Sequence, residues 1–406
     1  MTPQPRPAPA ATAAAVRRPD EIVVFLERAL GNAAALAVAQ QYGLVRLEAT
    51  RLDLIQVQVQ RYRIPDRRSL AQVIAAMQGD ARLLLVQPNF LYGHDGDKDR
   101  SHARARTNDD ALPQYAHEKI RLGAAHTIAQ GHRTLIAVID SGVDRSHPEL
   151  ANAVAESFDA VAGTALKPDA HGTAIASILS ARGRLTGVAP ASRLLAIRAF
   201  APESGGQVLA TTYVLLRSID WAHKRRARLF NLSFSGPRDE ALRRVVMAAQ
   251  ENGAIFVAAA GNGGPKAAAA FPAAYPGVIA VTATDKDDAV YGDANRGQYV
   301  VAAAPGVDVL VAVPGGAYDV KSGTSFAAAH VSGVIALMLE RDPNLSSEQV
   351  QERLAKSAVD LGPRGPDPVF GAGRIDALQT LETRRVGAKE GIARPTGVRA
   401  TGTEPR

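Results

Sequence analysis

Between residues 135 and 357 the chain alternates short apolar runs with longer segments of helical character, and this alternation restricts the fold more than any other feature. The runs at 135–139, 194–200, 229–234, 254–259, 278–282 and 299–303 have the length of buried strands. The stretches 172–180, 208–223, 239–252, 324–340 and 347–357 read as helices; Gly253 stops the third and Pro343 lies just past the fourth. Strands that are apolar throughout and separated by helices form a parallel sheet covered on both faces, a doubly wound α/β arrangement. In such sheets ligands bind beyond the carboxyl ends of the strands.

Polar residues stand at those ends. Ala137-Val138-Ile139-Asp140-Ser141-Gly142 closes one run with an acid and a glycine turn, and Ala258-Ala259-Ala260-Gly261-Asn262 closes another with an amide. Two helix starts also carry chemistry: Asp169-Ala170-His171-Gly172-Thr173, and Gly323-Thr324-Ser325 ahead of the Ala-rich run to Leu339. A hydroxyl on the first turn of a helix sits among N–H groups that lack intrahelical partners. It becomes a nucleophile if an imidazole takes its proton and a carboxylate fixes that imidazole's tautomer. Singly, each residue has a plainer role: a capping serine, a surface histidine, an Asx-turn aspartate, a loop asparagine.

Together, in the order Asp140, His171, Asn262, Ser325, these motifs resemble those of the subtilisin-like serine peptidases, the subtilase family, over residues 113–381. The resemblance implies Ser325 as nucleophile, His171 as general base and then acid, and Asp140 as its orienting carboxylate. It implies Asn262 as the amide that, with the Ser325 N–H, holds the oxyanion. His330, five residues along the same helix, is expected to be a packed histidine, and Asp144 a turn residue. Ser233-Phe234-Ser235-Gly236 is similar to the family's wall of the substrate pocket, and Ser204-Gly205-Gly206-Gln207 to its other edge; an extended peptide would add between them as a strand. Ala258–Ala260 and the segment 263–276 form the expected pocket floor, Ala259 and Gly261 being counted among the substrate-binding residues, with a preference for apolar or medium side chains; Lys266 is read as a solvated loop residue rather than a reader of acids. Phe271-Pro272 matches a place where the family has a cis proline. Where the family usually has a second histidine this chain has Ala174, and Phe326 and Ala329 replace the common Met and Pro. The loop between Ala181 and Thr186 carries Arg182 and Arg184 and no carboxylate, so the family's tight calcium site is not expected there. No metal or other cofactor is expected in the chemistry.

Ahead of this region, residues 21–92 read β-α-β-β-α-β: strands at 22–26, 45–47, 54–59 and 83–86 and helices at 32–41 and 69–77, the last strand running into Gln87-Pro88-Asn89-Phe90-Leu91-Tyr92. That order describes a small α+β ferredoxin-like plait. By position and by its ending it is similar to the inhibitory propeptides of subtilases. The expected organisation is a disordered tail at 1–19, a propeptide-like domain at 20–92, a linker with a self-processing site at 93–112, a catalytic domain at 113–381 and a disordered basic tail at 382–406.

Charge and composition narrow the partners. Formal net charge is +7, of which Arg6, Arg17 and Arg18 supply +3 and the six basic and two acidic residues of 384–406 supply +4. The chain between is formally neutral, so no nucleic-acid groove is indicated. With no cysteine, thiol catalysis and disulfides are excluded. No apolar run has the length of a membrane span, and the N-terminus lacks an apolar signal core. Family habit still favours export, to the periplasm or outside the cell. The expected partners are polypeptide substrates and the chain's own N-terminal domain as intramolecular inhibitor. A binding protein without catalysis and an esterase on the same triad are the competing classes; a serine-directed phosphonate separates the first, and paired ester and peptide substrates the second.

Overall fold

In a computed structural model the described residues are 17–94, 113–161, 167–203 and 206–383. Most of the tails assigned to 1–19 and 382–406, and nearly all of the 93–112 linker, lie outside them. The chain begins with β1 (Arg17–Glu27), α1 (Gly31–Gln41), β2 (Val45–Leu52), β3 (Val57–Arg63), α2 (Leu70–Met77) and β4 (Leu83–Gly93). These strands pair antiparallel in the order β2-β3-β1-β4, the ferredoxin-like arrangement. Ser69 starts α2 with a reciprocal capping box to Gln72. Two differences from the sequence reading have local causes. Residues 17–19 belong to β1, because Arg17 pairs with Phe90 and Arg18 forms an ion pair with Glu203. Residues 53–56 are a turn rather than the start of a strand, with Gln56 at φ 54°.

The larger body follows: α3 (Tyr115–Lys119), α4 (Leu122–His126), β5 (Leu135–Asp140), β6 (Val154–Asp159), α5 (Ala170–Ser180), β7 (Arg193–Arg198), β8 (Ala201–Pro202), β9 (Val208–Thr211), α6 (Thr212–Lys224), β10 (Leu229–Leu232), α7 (Glu240–Glu251), β11 (Ile255–Ala259), β12 (Ile279–Thr284), β13 (Val300–Pro305), β14 (Val309–Val313), β15 (Ala317–Lys321), α8 (Thr324–Arg341), α9 (Ser347–Ser357) and α10 (Ala377–Glu382). Seven parallel strands form one sheet in the order β13-β12-β11-β10-β5-β7-β6. The chain turns to one side of β5 for β6 and β7, then crosses to β10, so the strand order reverses between β5 and β10. A crevice opens at such a reversal, outside the strands' carboxyl ends.

Two apolar cores fill the two faces of the sheet. One contains α5 and α8; α8 is buried from Thr324 to Leu339, as a helix that is apolar all round must be. The other contains α6 and α7 and takes in Val23, Phe25, Val57 and Val59 from the N-terminal sheet. A third, separate core lies between that sheet and its own helices. The two sheets are also joined through hydrogen bonds: β4 pairs antiparallel with β9, which pairs with β8, extending the N-terminal sheet to six strands.

Candidate active site

Asp140 is the last residue of β5 and fully buried. Its Oδ1 accepts from His171 Nδ1 at 2.7 Å and from the Ser141 N–H at 2.7 Å. Burial pushes this carboxyl up, but the His171 charge and these donated hydrogen bonds outweigh it and hold Asp140 below the ordinary carboxylate value. His171 sits in the first turn of α5, whose N-cap Asp169 accepts the His171 N–H at 2.9 Å. Ser141 ties the pieces together: its Oγ donates to Asp169 and accepts from the Gly172 N–H. Turn, cap and dyad form one network, so the imidazole's tilt is set by backbone as well as by its partner.

Ser325 lies in the first turn of α8 and is 4% exposed. Its Oγ donates to the Ser233 carbonyl at 3.1 Å, and Ser233 Oγ returns a bond to the Ser325 carbonyl. The next residue, Phe326, brings its ring to 5.8 Å from that of His171, so the helix start and the dyad are neighbours. Asn262 Oδ1 accepts from the Thr324 N–H at 3.0 Å and from Thr324 Oγ1 at 2.8 Å. With its oxygen committed to Thr324, the amide turns its donor edge away from that residue. Asp140 thus ends β5, Asn262 follows the end of β11, and Ser325 is bonded to Ser233 just past β10.

The groove beside them is occupied. Gly93 exchanges both backbone hydrogen bonds with Ser235 at 3.0 Å, while Leu91, Tyr92 and Gly93 pair with Thr211, Ala210 and Leu209 of β9 on the other side. An extended strand therefore lies between Ser235, on the edge read from the sequence, and residues 209–211 of β9, which stand just past the 204–207 segment read as the other edge. Phe234 is buried behind it, and Gly236 pairs with Phe271, whose peptide to Pro272 is cis. Gly206 adjoins the β8–β9 hairpin, where its N–H donates to the Glu203 carbonyl; Gly205 lies outside the described residues. Ala259 is buried at the end of β11, Gly261 takes a φ of 104°, and Lys266 is exposed.

His94 was not singled out in the sequence, where it reads as one of the two linker histidines. It stacks on His171 with ring centroids 3.9 Å apart, packs on Phe200 at 4.3 Å, and places Nε2 3.4 Å from Asp140 Oδ1. Burial, followed by the His171 charge, lowers its pKa to about 3 despite Asp140. Among the described residues His94, Asp140 and His171 are the one trio whose ligand atoms come close enough for a metal ion. The geometry is that of a hydrogen-bonded dyad instead: the N–H fills the 2.7 Å line between Nδ1 and Oδ1, and stacked rings do not aim their nitrogens at one point.

His330 is buried and held by the Phe326 carbonyl at 2.9 Å, its pKa lowered by burial to about 4. Asp144 accepts from the Ser146 N–H in an Asx turn and from the Gly315 N–H. At the 182–186 loop a carboxylate does arrive, from Glu149: it accepts the N–H groups of Gly183, Arg184 and Leu185 and the hydroxyl of Tyr318. Sequence distance hid this residue, which sits 34 positions before the loop it fills.

A model described as the subtilase family matches residues 131–373. The chain is 29% identical over 338 residues to the minor extracellular protease Epr of Bacillus subtilis, which covers 81% of this chain and 51% of that protein. It is 34% identical over 257 residues to subtilisin of Bacillus pumilus, covering 61% of this chain and 92% of that one. The crystal structure of fervidolysin from Fervidobacterium pennivorans, described as a keratinolytic enzyme related to subtilisin, superposes with a TM-score of 0.75 at 23% identity, over 93% of this chain and 63% of that one. The chain spans about half the length of Epr and under two thirds of the fervidolysin chain. It belongs to the subtilase family, a family of serine-type endopeptidases, and has the subtilisin-like fold. No helix among the described residues is long and apolar enough to cross a membrane.

Proposed function

We propose that this chain is a serine endopeptidase made as a self-inhibited precursor, with residues 20–92 as inhibitory domain and 113–381 as catalytic domain. His171 takes the proton of Ser325, whose Oγ attacks a peptide carbonyl; Asp140 keeps the tautomer and balances the imidazolium. The Ser325 N–H and the Asn262 amide receive the oxyanion, His171 protonates the leaving amine, and water releases the acyl-enzyme by the same steps in reverse. The observation that carries this reading is the buried 2.7 Å Asp140–His171 hydrogen bond at the mouth of a groove that already holds an extended strand.

The N-terminal sheet supports the inhibitor role, because its last strand fills the groove and its His94 covers the catalytic ring. Self-cleavage is assigned to the segment 93–112, which begins where that strand meets the dyad. The protein is taken to be exported, as the name of Epr states for that relative. Ser325→Ala tests the whole proposal. Casein cleavage and loss of the N-terminal domain should both vanish; cleavage persisting at the parent rate would refute the assignment.

A further inference from the structure

The side chain of Tyr92 enters a pocket whose floor is a carboxylate. Its ring stands edge-on to Phe234 at 5.9 Å, and its hydroxyl donates to Asp239 Oδ2 at 3.0 Å. Gly236 makes the room: a Cβ there would come within 2.3 Å of the Tyr92 ring. Asp239 is itself fully buried and rigidly held. Oδ2 accepts a second bond from Thr212 Oγ1 at 2.6 Å, and Oδ1 caps α7 through the Leu242 N–H at 3.0 Å. Its main chain exchanges two hydrogen bonds with the Tyr275 hydroxyl. Thr212, Leu242 and Tyr275 all belong to the larger body, so they stay when the strand leaves. Tyr92, with Gln87, belongs to the strand, which binds by the main-chain pairing open to any extended polypeptide.

We infer that Asp239 is a specificity determinant that selects tyrosine in polypeptide substrates, at the position two residues before the side chain that packs on His171. This rests on the peptidase reading and names the substrate feature it prefers. Tyrosine fills the aromatic slot and offers the donor that Oδ2 faces. Phenylalanine fills the same slot but shuts an acceptor against an apolar ring edge, and a site built around a hydroxyl rejects the analogue that lacks it. Acidic side chains meet a like charge. Burial pushes the Asp239 carboxyl above its ordinary value, although the bonds from Thr212, Leu242, Gln87 and Tyr92 oppose this, which agrees with an acid surrounded by neutral donors.

The test uses the full chain after its own activation and two peptides. One has the sequence of residues 88–98, and the other carries phenylalanine in place of its tyrosine. Products are mapped by mass spectrometry so that kcat/KM refers to cleavage beyond the histidine. The tyrosine peptide should be cut roughly tenfold faster, with most of the difference in KM. In Asp239→Ser, which keeps a capping hydroxyl but no longer reaches the phenol, the ratio should fall close to one. Equal rates in the parent, or an unchanged ratio in Asp239→Ser, overturn the selectivity. If Asp239→Ser does not fold, the parent's ratio decides alone. Cleavage of neither peptide, with no labelling of Ser325 by a phosphonate, overturns the peptidase reading itself; labelling with equal rates overturns only the selectivity.

Discussion

Two buried carboxylates meet the same strand near its carboxyl end, through side chains two residues apart. At His94 it reaches Asp140, whose main partner is an imidazole that can carry charge, and this acid is held below its ordinary pKa. At Tyr92 it reaches Asp239, whose partners are hydroxyls, an amide and an N–H group, and this acid is pushed above its ordinary value. Burial acts on both alike. The difference lies in whether a neighbour can become a cation when the acid ionises. A carboxylate that must balance an imidazolium needs the first setting, and one that must recognise a neutral hydroxyl is served by the second.

The contrast can be broken from either end. Asp140→Asn should cost the most, about 10⁴-fold in kcat, because the wrong tautomer is then favoured, while preference between tyrosine and phenylalanine peptides should survive. Loss of that preference as well would mean that the two corners are not separate. Asn262→Ala should lower kcat by about 10²–10³-fold, the range known for one oxyanion donor in subtilisin, with KM little changed. A mainly KM effect would move Asn262 from the transition state to ground-state binding. Gly236→Ala should act in the opposite manner, raising KM for the tyrosine peptide about tenfold or more through overpacking against the ring, with kcat largely kept.

The smallest effect concerns His94, whose titratable neighbours are Asp140 and His171. Its pKa in place is about 3, below the ordinary 6.5, so its contribution to strand docking is present above pH 6.5 and is lost as pH falls below that value. In the uncleaved Ser325→Ala chain, hydrogen exchange of Gly93, whose N–H is bonded to the Ser235 carbonyl, should show opening close to tenfold more frequent at pH 5.5 than at pH 7 once corrected for intrinsic rate. His94→Gln should flatten that dependence; an equally steep one in the variant would place the titration elsewhere.

The strand–helix alternation and the four site motifs were legible because each is local: an apolar run, a cap, a glycine turn. Most misses arose where the deciding partner is distant. Residues 208–211 read as the start of a helix, since their apolar character continues into 212–224, but pairing with β4 draws them into β9 and the Thr211 side chain caps α6 instead. The hairpin of β14 and β15 escaped notice because its second strand is polar and only half-buried. Asp239 opens the segment read as the helix 239–252 and in fact caps α7; that its other oxygen faces a phenol 147 residues away has no local signature. Glu149 was missed for the same reason.

The strand also touches two helix starts before it reaches the chemistry. Gln87 Oε1 accepts the Ala241 N–H at the start of α7, and Asn89 Oδ1 accepts the Tyr213 N–H at the start of α6. From Gln87 to His94 is seven residues, about 23 Å of extended chain. A ligand must therefore be that long to meet every anchor the precursor uses, and a tetrapeptide ending at the dyad leaves both helix starts to water. The groove is in this sense a ruler, graduated by side chains far from the bond that breaks.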